Sequence, residues 1–131
     1  MGVGNSTSEL VQGFEYYKTD NSKLWLCNNL VGKYGVSDIE LVGAYDINKN
    51  KINSDVSEAI FTSPNQLEEF VKLKNCGIVV EKGILEDDVN PNLKSSIDIS
   101  ANSTEAFKKL LLEKKTWCNA KFNFFWFGYD I

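Results

Sequence analysis

The sequence predicts an α/β fold with a parallel sheet, and three features of the chain indicate it. Gly2 and Gly4 form a Gly-x-Gly turn that leads directly into an amphipathic segment, the arrangement that presents a helix N-terminus to a phosphate. Apolar runs typical of buried strands then alternate with segments of helical periodicity. Only Met1 precedes the turn, so we expect the sheet to lack the strand that normally delivers such a turn.

The first helix is predicted over residues 8–18, immediately after the glycine turn. Apolar side chains recur there at helical spacing and would form one buried face, comprising Leu10, Val11, Phe14 and Tyr17. Residues 19–35 are rich in Asn, Lys and Gly, a composition that indicates a long excursion outside the core.

Residues 38–47 form a nearly continuous apolar run that ends at Asp46 and Ile47. Such a run predicts a strand that is buried on both faces. Residues 48–51 would then turn the chain. A short second helix is predicted around residues 56–60, ending before Pro64.

The remaining elements follow the same alternation. Leu67, Phe70 and Val71 indicate the start of another amphipathic helix, and residues 77–81 form the next strand candidate. Asn102 is expected to cap a final helix with Glu105 three positions later. The apolar face of that helix would comprise Phe107, Leu110 and Leu111. Residues 117–127 close the chain as an aromatic, β-prone run.

Composition indicates a single globular domain and excludes several classes of function. The chain has 131 residues, of which 43% are hydrophobic and 24% charged, as is ordinary for globular proteins. Its net charge of −4 argues against nucleic-acid binding, which requires a basic surface. The absence of histidine removes the commonest general base and the commonest metal ligand, so neither a metal site nor a self-contained hydrolase is expected.

The cysteines and the longest apolar runs indicate a soluble, cytoplasmic protein. Cys27, Cys76 and Cys118 are few and far apart, which fits a reducing compartment better than a disulfide framework. We expect them to be small buried apolar residues. No apolar run reaches the roughly 20 residues that a membrane-spanning helix needs.

Gly2, Gly4 and Asp46 together supply the parts of a dinucleotide site. Such a site combines a glycine turn, a helix N-terminus and an acidic residue at the end of the next strand. The acidic residue usually follows the turn by about 20 residues, whereas Asp46 lies roughly twice as far away, and residues 19–35 would account for the difference. Each feature alone also fits an ordinary loop or turn. Four lysines in loops are expected to be solvated: Lys33, Lys49, Lys51 and Lys82.

Three blocks in order carry a resemblance to a known family. They are GVGNSTSELVQGFEYYK at residues 2–18, VSDIELVGAYDI at residues 36–47 and SEAIFTSPN at residues 57–65. Together they resemble myo-inositol-1-phosphate synthase (inositol-3-phosphate synthase) of the archaeal and bacterial type, which also has a long excursion before the second strand. The likeness covers residues 1–90, whereas the aromatic tail at residues 117–131 diverges from the family.

The resemblance implies a Rossmann-like three-layer parallel sheet that is incomplete, forming one partial NAD-binding domain over residues 1–131. The family uses NAD to convert glucose 6-phosphate to myo-inositol 1-phosphate, for inositol and phospholipid biosynthesis. Its catalytic lysines and substrate phosphate site have no counterpart in this chain, so we expect no catalytic residues and no activity of the chain alone. The residues implied in cofactor binding are Gly2, Gly4, Asn5 and Ser6 in the phosphate cradle, Thr7 at the helix start, and Asp46 at the adenosine ribose.

Two readings of other kinds stay open at this point. The chain could be a non-catalytic nucleotide-binding or assembly module that pairs with a full-length synthase, or an acidic α/β domain without a ligand. A homo-oligomer is compatible with either. In the divergent tail, Trp126 falls near the position of a family tyrosine beside the nicotinamide, but the surrounding motif is not preserved and packing is the expected role.

Overall fold

The computed structural model describes residues 2–19, 26–85 and 91–113. Its two strands, β1 (Ala44–Asp46) and β2 (Val80–Lys82), run parallel, with Ala44 opposite Val80 and Asp46 opposite Lys82. The described part is thus a small α/β arrangement with a two-stranded parallel sheet. Its helices are α1 (Asn5–Thr19), a 3-10 helix (Val36–Asp38), α2 (Val56–Ala59), α3 (Pro91–Ser96) and α4 (Thr104–Glu113).

Helix α1 confirms the predicted first helix and begins three residues earlier than expected. The N–H of Ser8 donates to the carbonyl of Gly4 at 3.0 Å, so helical hydrogen bonding starts within the glycine turn. The predicted buried face is wrong in part, because Val11 is buried but Leu10, Phe14 and Tyr17 are only half-buried. The buried face of α1 instead combines Val11 with three polar residues: Thr7, Ser8 and Gln12. This face packs toward the core with three polar side chains, each of which needs a hydrogen-bond partner.

The predicted strand over residues 38–47 is wrong in its length, although the successive residues Ala44 and Tyr45 of the observed strand, which point to opposite faces, are both buried. Residues 36–38 form the 3-10 helix, where the carboxylate of Asp38 accepts the N–H of Gly35 at 2.7 Å. This local capping turns the backbone where the apolar run suggested extension. Only Ala44–Asp46 pair as strand β1, and Val42 keeps 41% of its surface exposed.

Strand β2 (Val80–Lys82) overlaps the predicted strand at residues 77–81, but it begins three residues later and ends one residue later. Gly77 has a φ of +68°, which favours glycine, and the N–H of Ile78 donates to Asp55 at 3.1 Å. The turn at Gly77 therefore delays the start of the ladder to Val80. Across the other edge of β2, residues 53–56 pair antiparallel with residues 78–80.

Helix α2 confirms the predicted short helix around residues 56–60. Asp55 caps it by accepting the N–H of Ser57 at 2.9 Å, as expected for an N-cap aspartate. The same carboxylate also accepts the N–H groups of Cys76 at 3.0 Å and of Ile78. Asp55 therefore joins the start of α2 to the turn that leads into β2.

The amphipathic helix predicted to begin at Leu67 is absent, and this prediction is wrong. Residues 65–76 are not helical, and their backbone is bound by the side chain of Gln12 in α1. Gln12 accepts the N–H groups of Phe70 at 2.8 Å and Val71 at 3.2 Å, and it donates to the carbonyl of Glu68 at 3.3 Å. These hydrogen bonds take the place of the helical ones that the sequence pattern suggested.

Helix α4 confirms the last predicted helix, but its cap differs. The hydroxyl of Ser103, not the side chain of Asn102, accepts the N–H of Ala106, at 3.3 Å. Asn102 instead donates its backbone N–H to the carbonyl of Gly83 at 2.7 Å, which joins it to the segment after β2.

Helix α3 was not predicted. The side chains of the predicted α4 face (Phe107, Leu110 and Leu111) are outside what the structure describes, as are Cys118 and the whole tail at residues 117–131.

The core gathers around β1, β2, α1 and α2. Its buried apolar members are Val3, Val11, Ala44, Val56, Ala59, Ile60 and Val80. Val3 belongs to the glycine turn, so the turn is anchored directly in the core. The expectation of buried cysteines is wrong for the two that are described, because Cys27 and Cys76 are exposed.

We expect Gln12→Met to lower the free energy of unfolding by about 1–3 kcal/mol, because the N–H groups of Phe70 and Val71 lose their acceptor while the volume is kept. Urea denaturation measures the difference. Gln66→Met is the matched control, since Gln66 is exposed. Equal midpoints for the two variants would contradict the role given to Gln12.

Asp55→Ala should destabilise the protein by about 1 kcal/mol or more at neutral pH, through loss of the α2 cap. Burial alone would raise the pKa of Asp55, but hydrogen bonds from Ser57, Cys76 and Ile78 outweigh it and hold the pKa below 3.8. The unfolded carboxyl therefore binds a proton more readily than the folded one. The stability that Asp55 contributes is complete above pH 3.8 and declines as the pH falls through the lowered folded-state pKa.

The measurement for Asp55 is the gap in unfolding free energy between wild type and Asp55→Ala as a function of pH. The gap should shrink on acidification below pH 3.8. A gap that grows over the same range would refute the assignment of these hydrogen bonds to the ionised carboxylate.

Candidate functional site

Asp46 ties the glycine turn to the end of strand β1. One carboxylate oxygen, Oδ2, accepts the N–H of Val3 at 2.8 Å, although the two residues are 43 positions apart in the chain. The other oxygen, Oδ1, accepts the N–H of Asn48 at 2.8 Å. A single side chain thus fixes the turn, the strand end and the loop that follows the strand.

The turn is held from the protein side and is accessible from the solvent side. The hydroxyl of Thr7, which is 6% exposed, donates to the carbonyl of Gly2. The side-chain oxygen of Asn5 accepts the N–H of Gln66 at 2.9 Å. At Gly2, a side-chain carbon would meet nothing within 4 Å. A ligand can therefore approach the backbone of Gly2 without displacing protein atoms.

Lys51 lies beneath the turn. The prediction that its side chain is solvated is wrong. It is only 3% exposed, and its Nζ donates to the carbonyl of Val3 at 2.6 Å and to Oδ1 of Asn65 at 2.7 Å. The other three lysines of the predicted solvated set are exposed, as expected: Lys33, Lys49 and Lys82. No local sequence pattern distinguishes Lys51 from them.

Asn65 completes the buried polar group under the turn. Its Nδ2 donates to the carbonyls of Val3 at 3.1 Å and Ile60 at 2.8 Å. Asn65 lies at the end of the third sequence block that resembles the synthases, yet nothing in its sequence context singled it out. Lys51 and Asn65 are the two site residues that sequence reasoning missed.

The charge of Lys51 is opposed by burial and favoured by Asp46. Burial lowers the pKa of Lys51 below its ordinary value of 10.5, and the negative charge of Asp46 works in the opposite direction. An ammonium group carries three N–H donors and a neutral amine two. Both acceptors of Lys51 can therefore be satisfied in either protonation state.

The loops after both strands meet at the same edge of the sheet. The N–H of Gly83, directly after β2, donates to the carbonyl of Asp46 at 2.8 Å. A side-chain carbon at Gly83 would lie 3.4 Å from the backbone carbon and oxygen of Asp46, so the two chains approach closely here. Farther along, the N–H of Ser100 donates to the carbonyl of Ile47 at 2.7 Å. The carboxyl edge of the sheet thus brings together three separate segments: the ends of β1 and β2 and the segment at Ser100.

The six residues implied in cofactor binding occupy one region of the described structure. Gly2, Gly4, Asn5, Ser6 and Thr7 span the turn and the first positions of α1, and Asp46 is hydrogen-bonded to the turn itself. The side chains of Asn5 and Ser6 are exposed, whereas Thr7 is buried. Chemically, a helix N-terminus beside a carboxylate can bind an anionic group and a hydroxyl-bearing group side by side.

The described residues offer neither a metal-binding cluster nor a membrane-spanning helix. Residues 2–19, 26–85 and 91–113 contain no group of three or more His, Cys, Asp or Glu side chains that could hold a metal ion. Within the same residues, none of the helices combines the length and the apolarity needed to cross a bilayer.

Replacing Lys51 by Met should make the stability difference from wild type depend on pH. Because burial holds the folded-state pKa of Lys51 below 10.5, the unfolded chain binds this proton more tightly than the folded chain. Stability attributable to Lys51 therefore rises with pH between the lowered folded-state pKa and 10.5. Chemical denaturation of both proteins at several pH values measures the difference in unfolding free energy. The wild type should gain stability relative to Lys51→Met as the pH rises, and a relative loss of wild-type stability would contradict the burial of the amine.

Comparison with family models gave no match, whereas several individual proteins are similar. The inositol-3-phosphate synthase of Mycolicibacterium smegmatis is 31% identical over 116 residues, covering 86% of this chain and 32% of that protein. The inositol-3-phosphate synthase of Mycobacterium tuberculosis is 34% identical over 103 residues, covering 76% of this chain and 28% of that protein. That of Corynebacterium glutamicum is 32% identical, covering 87% of this chain and 32% of that protein.

Among solved structures, the crystal structure of Ari2 resembles this one with a TM-score of 0.67 and 29% sequence identity. The match covers 87% of this chain and 33% of Ari2. The chain thus spans about a third of the length of the curated synthases and of the solved structure that it matches. These similarities place the chain in the inositol-3-phosphate synthase family, as a relative about a third as long as the members it matches.

Proposed function

We propose that this chain is the NAD-binding part of an inositol-phosphate synthase, with a Rossmann-like fold in which the glycine turn cradles the cofactor's pyrophosphate. The observation that carries the proposal is the 2.8 Å hydrogen bond between the N–H of Val3 and the carboxylate of Asp46. It joins the two features that a dinucleotide site requires, the turn and the acidic strand end, across 43 residues of sequence.

The start of α1 suits a pyrophosphate group. The first N–H groups of a helix have no acceptor within the helix, and the aligned peptide dipoles place about half a positive charge there. Space over Gly2 lets an anion reach the backbone, and the exposed side chains of Asn5 and Ser6 border the same end of the helix. Thr7 acts from the buried side, where its hydroxyl holds the carbonyl of Gly2.

Asp46 suits the hydroxyls of the adenosine ribose. Each of its two carboxylate oxygens accepts one backbone N–H, whereas an ionised carboxylate offers about four lone-pair sites. Acceptor capacity for two ribose hydroxyls therefore remains. The backbone hydrogen bonds hold the carboxylate in place before the cofactor arrives, which lowers the entropic cost of binding.

Within a complete synthase, NAD supplies the acceptor and donor of a hydride while glucose 6-phosphate is converted to myo-inositol 1-phosphate, a step toward inositol and phospholipids. The residues of this chain bind and orient the cofactor. We infer that residues 1–131 form one partial domain and that these residues alone are inactive, since they match only about a third of the length of the curated synthases.

A second candidate is a nucleotide-binding or assembly module that pairs with a full-length synthase or with a second copy of this chain. Several large apolar side chains favour it, because each exposes more than half of its surface: Leu30, Val31, Phe70, Val79 and Leu112. A partner would cover these side chains if they form one contiguous patch, because it is contiguous apolar patches that mark association surfaces. Co-purification with a full-length synthase would support this candidate over the first.

The purified chain should bind NAD in isothermal titration calorimetry, and saturating NAD should raise its melting temperature because the ligand binds only the folded state. Asp46→Ala should lose this binding through loss of the carboxylate. Asp98→Asn is the matched control, since Asp98 lies in a loop near the same edge but is 63% exposed and pairs with Lys49 at the surface. A cooperatively folded wild-type chain that gives no heat and no shift would refute the proposal.

A further inference from the structure

We infer that Lys51 is a positioning residue of this nucleotide site, which aims a backbone N–H of the glycine turn at the ligand by holding the carbonyl of Val3. The inference rests on the proposed function and assigns a role to a residue that does not touch the cofactor. It depends on the buried contacts of Lys51 and on the planarity of the peptide that follows Val3.

Two successive peptide groups of the turn are held by side chains. In the Gly2–Val3 peptide, Thr7 donates to the carbonyl and Asp46 accepts the N–H. In the Val3–Gly4 peptide, Lys51 donates to the carbonyl at 2.6 Å and Asn65 donates to the same oxygen at 3.1 Å. The remaining polar group of these two peptides is the N–H of Gly4.

The geometry of the Val3–Gly4 peptide determines where that N–H points. The bond is trans, since the cis bond of the described chain is at Ser63–Pro64, and in a planar trans peptide the C=O and N–H point in opposite directions. The carbonyl of Val3 points inward, to an amine on a side chain that is 3% exposed. The N–H of Gly4 therefore points away from the buried amine, at the start of α1.

The amine of Lys51 does what an apolar side chain of the same size could not. Burial of a lysine costs free energy, and the hydrogen bonds to Val3 and Asn65 offset part of that cost. A methionine would fill the space but leave Asn65 as the single side-chain donor to the Val3 carbonyl among the contacts described here. Because Nζ contacts the turn from its buried side, Lys51 acts through the backbone and not as a phosphate ligand.

The test compares Lys51→Met with Lys49→Met in the full chain. Lys49 lies two residues away, but it is exposed and its amine pairs with Asp98 at 2.7 Å. At a temperature where both variants are fully folded, we expect Lys51→Met to bind NAD roughly tenfold more weakly, as for loss of one hydrogen bond from a charged group. Lys49→Met should retain the wild-type Kd. A role of Lys51 in stability alone would leave the Kd of the folded protein unchanged.

NMR of the ligand-free chain gives a second readout that does not require NAD. Lys51→Met should shift the backbone amide resonance of Gly4, because the Val3–Gly4 peptide loses a donor to its carbonyl, while the amide resonances of Ala44 and Tyr45 keep their wild-type positions. If the wild type does not bind NAD, the proposed function and the binding role of Lys51 are both overturned. The Gly4 amide still decides whether Lys51 holds the turn, because an unchanged signal in Lys51→Met rules that out.

Asn65→Leu provides an independent variant that removes the other donor to the Val3 carbonyl. We expect it to weaken NAD binding, as Lys51→Met does. The changes in binding free energy of the two substitutions should not add in the double variant, because both side chains donate to the same oxygen. If Lys51→Met does not fold, the Kd of folded Asn65→Leu decides. A wild-type Kd in whichever of these variants folds would overturn the inference.

Discussion

The site depends on one hydrogen bond, from the N–H of Val3 to the carboxylate of Asp46. Strand β1 has only three residues, so its pairing with β2 alone is a weak constraint on the glycine turn. The Asp46 carboxylate supplies the missing connection, because it binds the turn on one oxygen and the loop after the strand on the other. The start of α1 is thereby kept at the carboxyl edge of the sheet, where ligands bind in open α/β folds.

Buried polar side chains connect segments of this chain that longer strands and helices would connect in larger domains. Gln12 binds the non-helical segment at residues 68–71, Asp55 joins α2 to the turn before β2, and Lys51 with Asn65 supports the glycine turn. Each satisfies backbone groups that have no partner in a regular element, and an unsatisfied buried group would cost roughly 1–3 kcal/mol. The similarity to the inositol-3-phosphate synthases covers 86% and 87% of this chain in two of the matched members, which are about three times as long.

Elements with a strong local signal could be predicted, and those that depend on distant partners could not. The apolar periodicity that predicts α1 is local, as is the apolar spacing before Pro64 that predicts α2, and both helices form where they were expected. The strand over residues 38–47 was predicted too long because hydropathy could not show that Asp38 would cap a 3-10 helix. The helix from Leu67 failed because its amide groups are bound by Gln12, which lies more than fifty residues earlier in the sequence.

The sequence by itself determined the positions of α1, α2 and α4, the glycine turn at Gly2 and Gly4, the acidic strand end at Asp46, and the family. These are properties of short blocks, which periodicity and motif can report. Only the tertiary structure decided that Asp46 binds the turn and that Lys51 is buried beneath it. The physical reason is that the environment of a charged side chain is set by residues far away in the chain. Lys49 and Lys51 lie in the same loop, yet one is exposed and the other is 3% exposed.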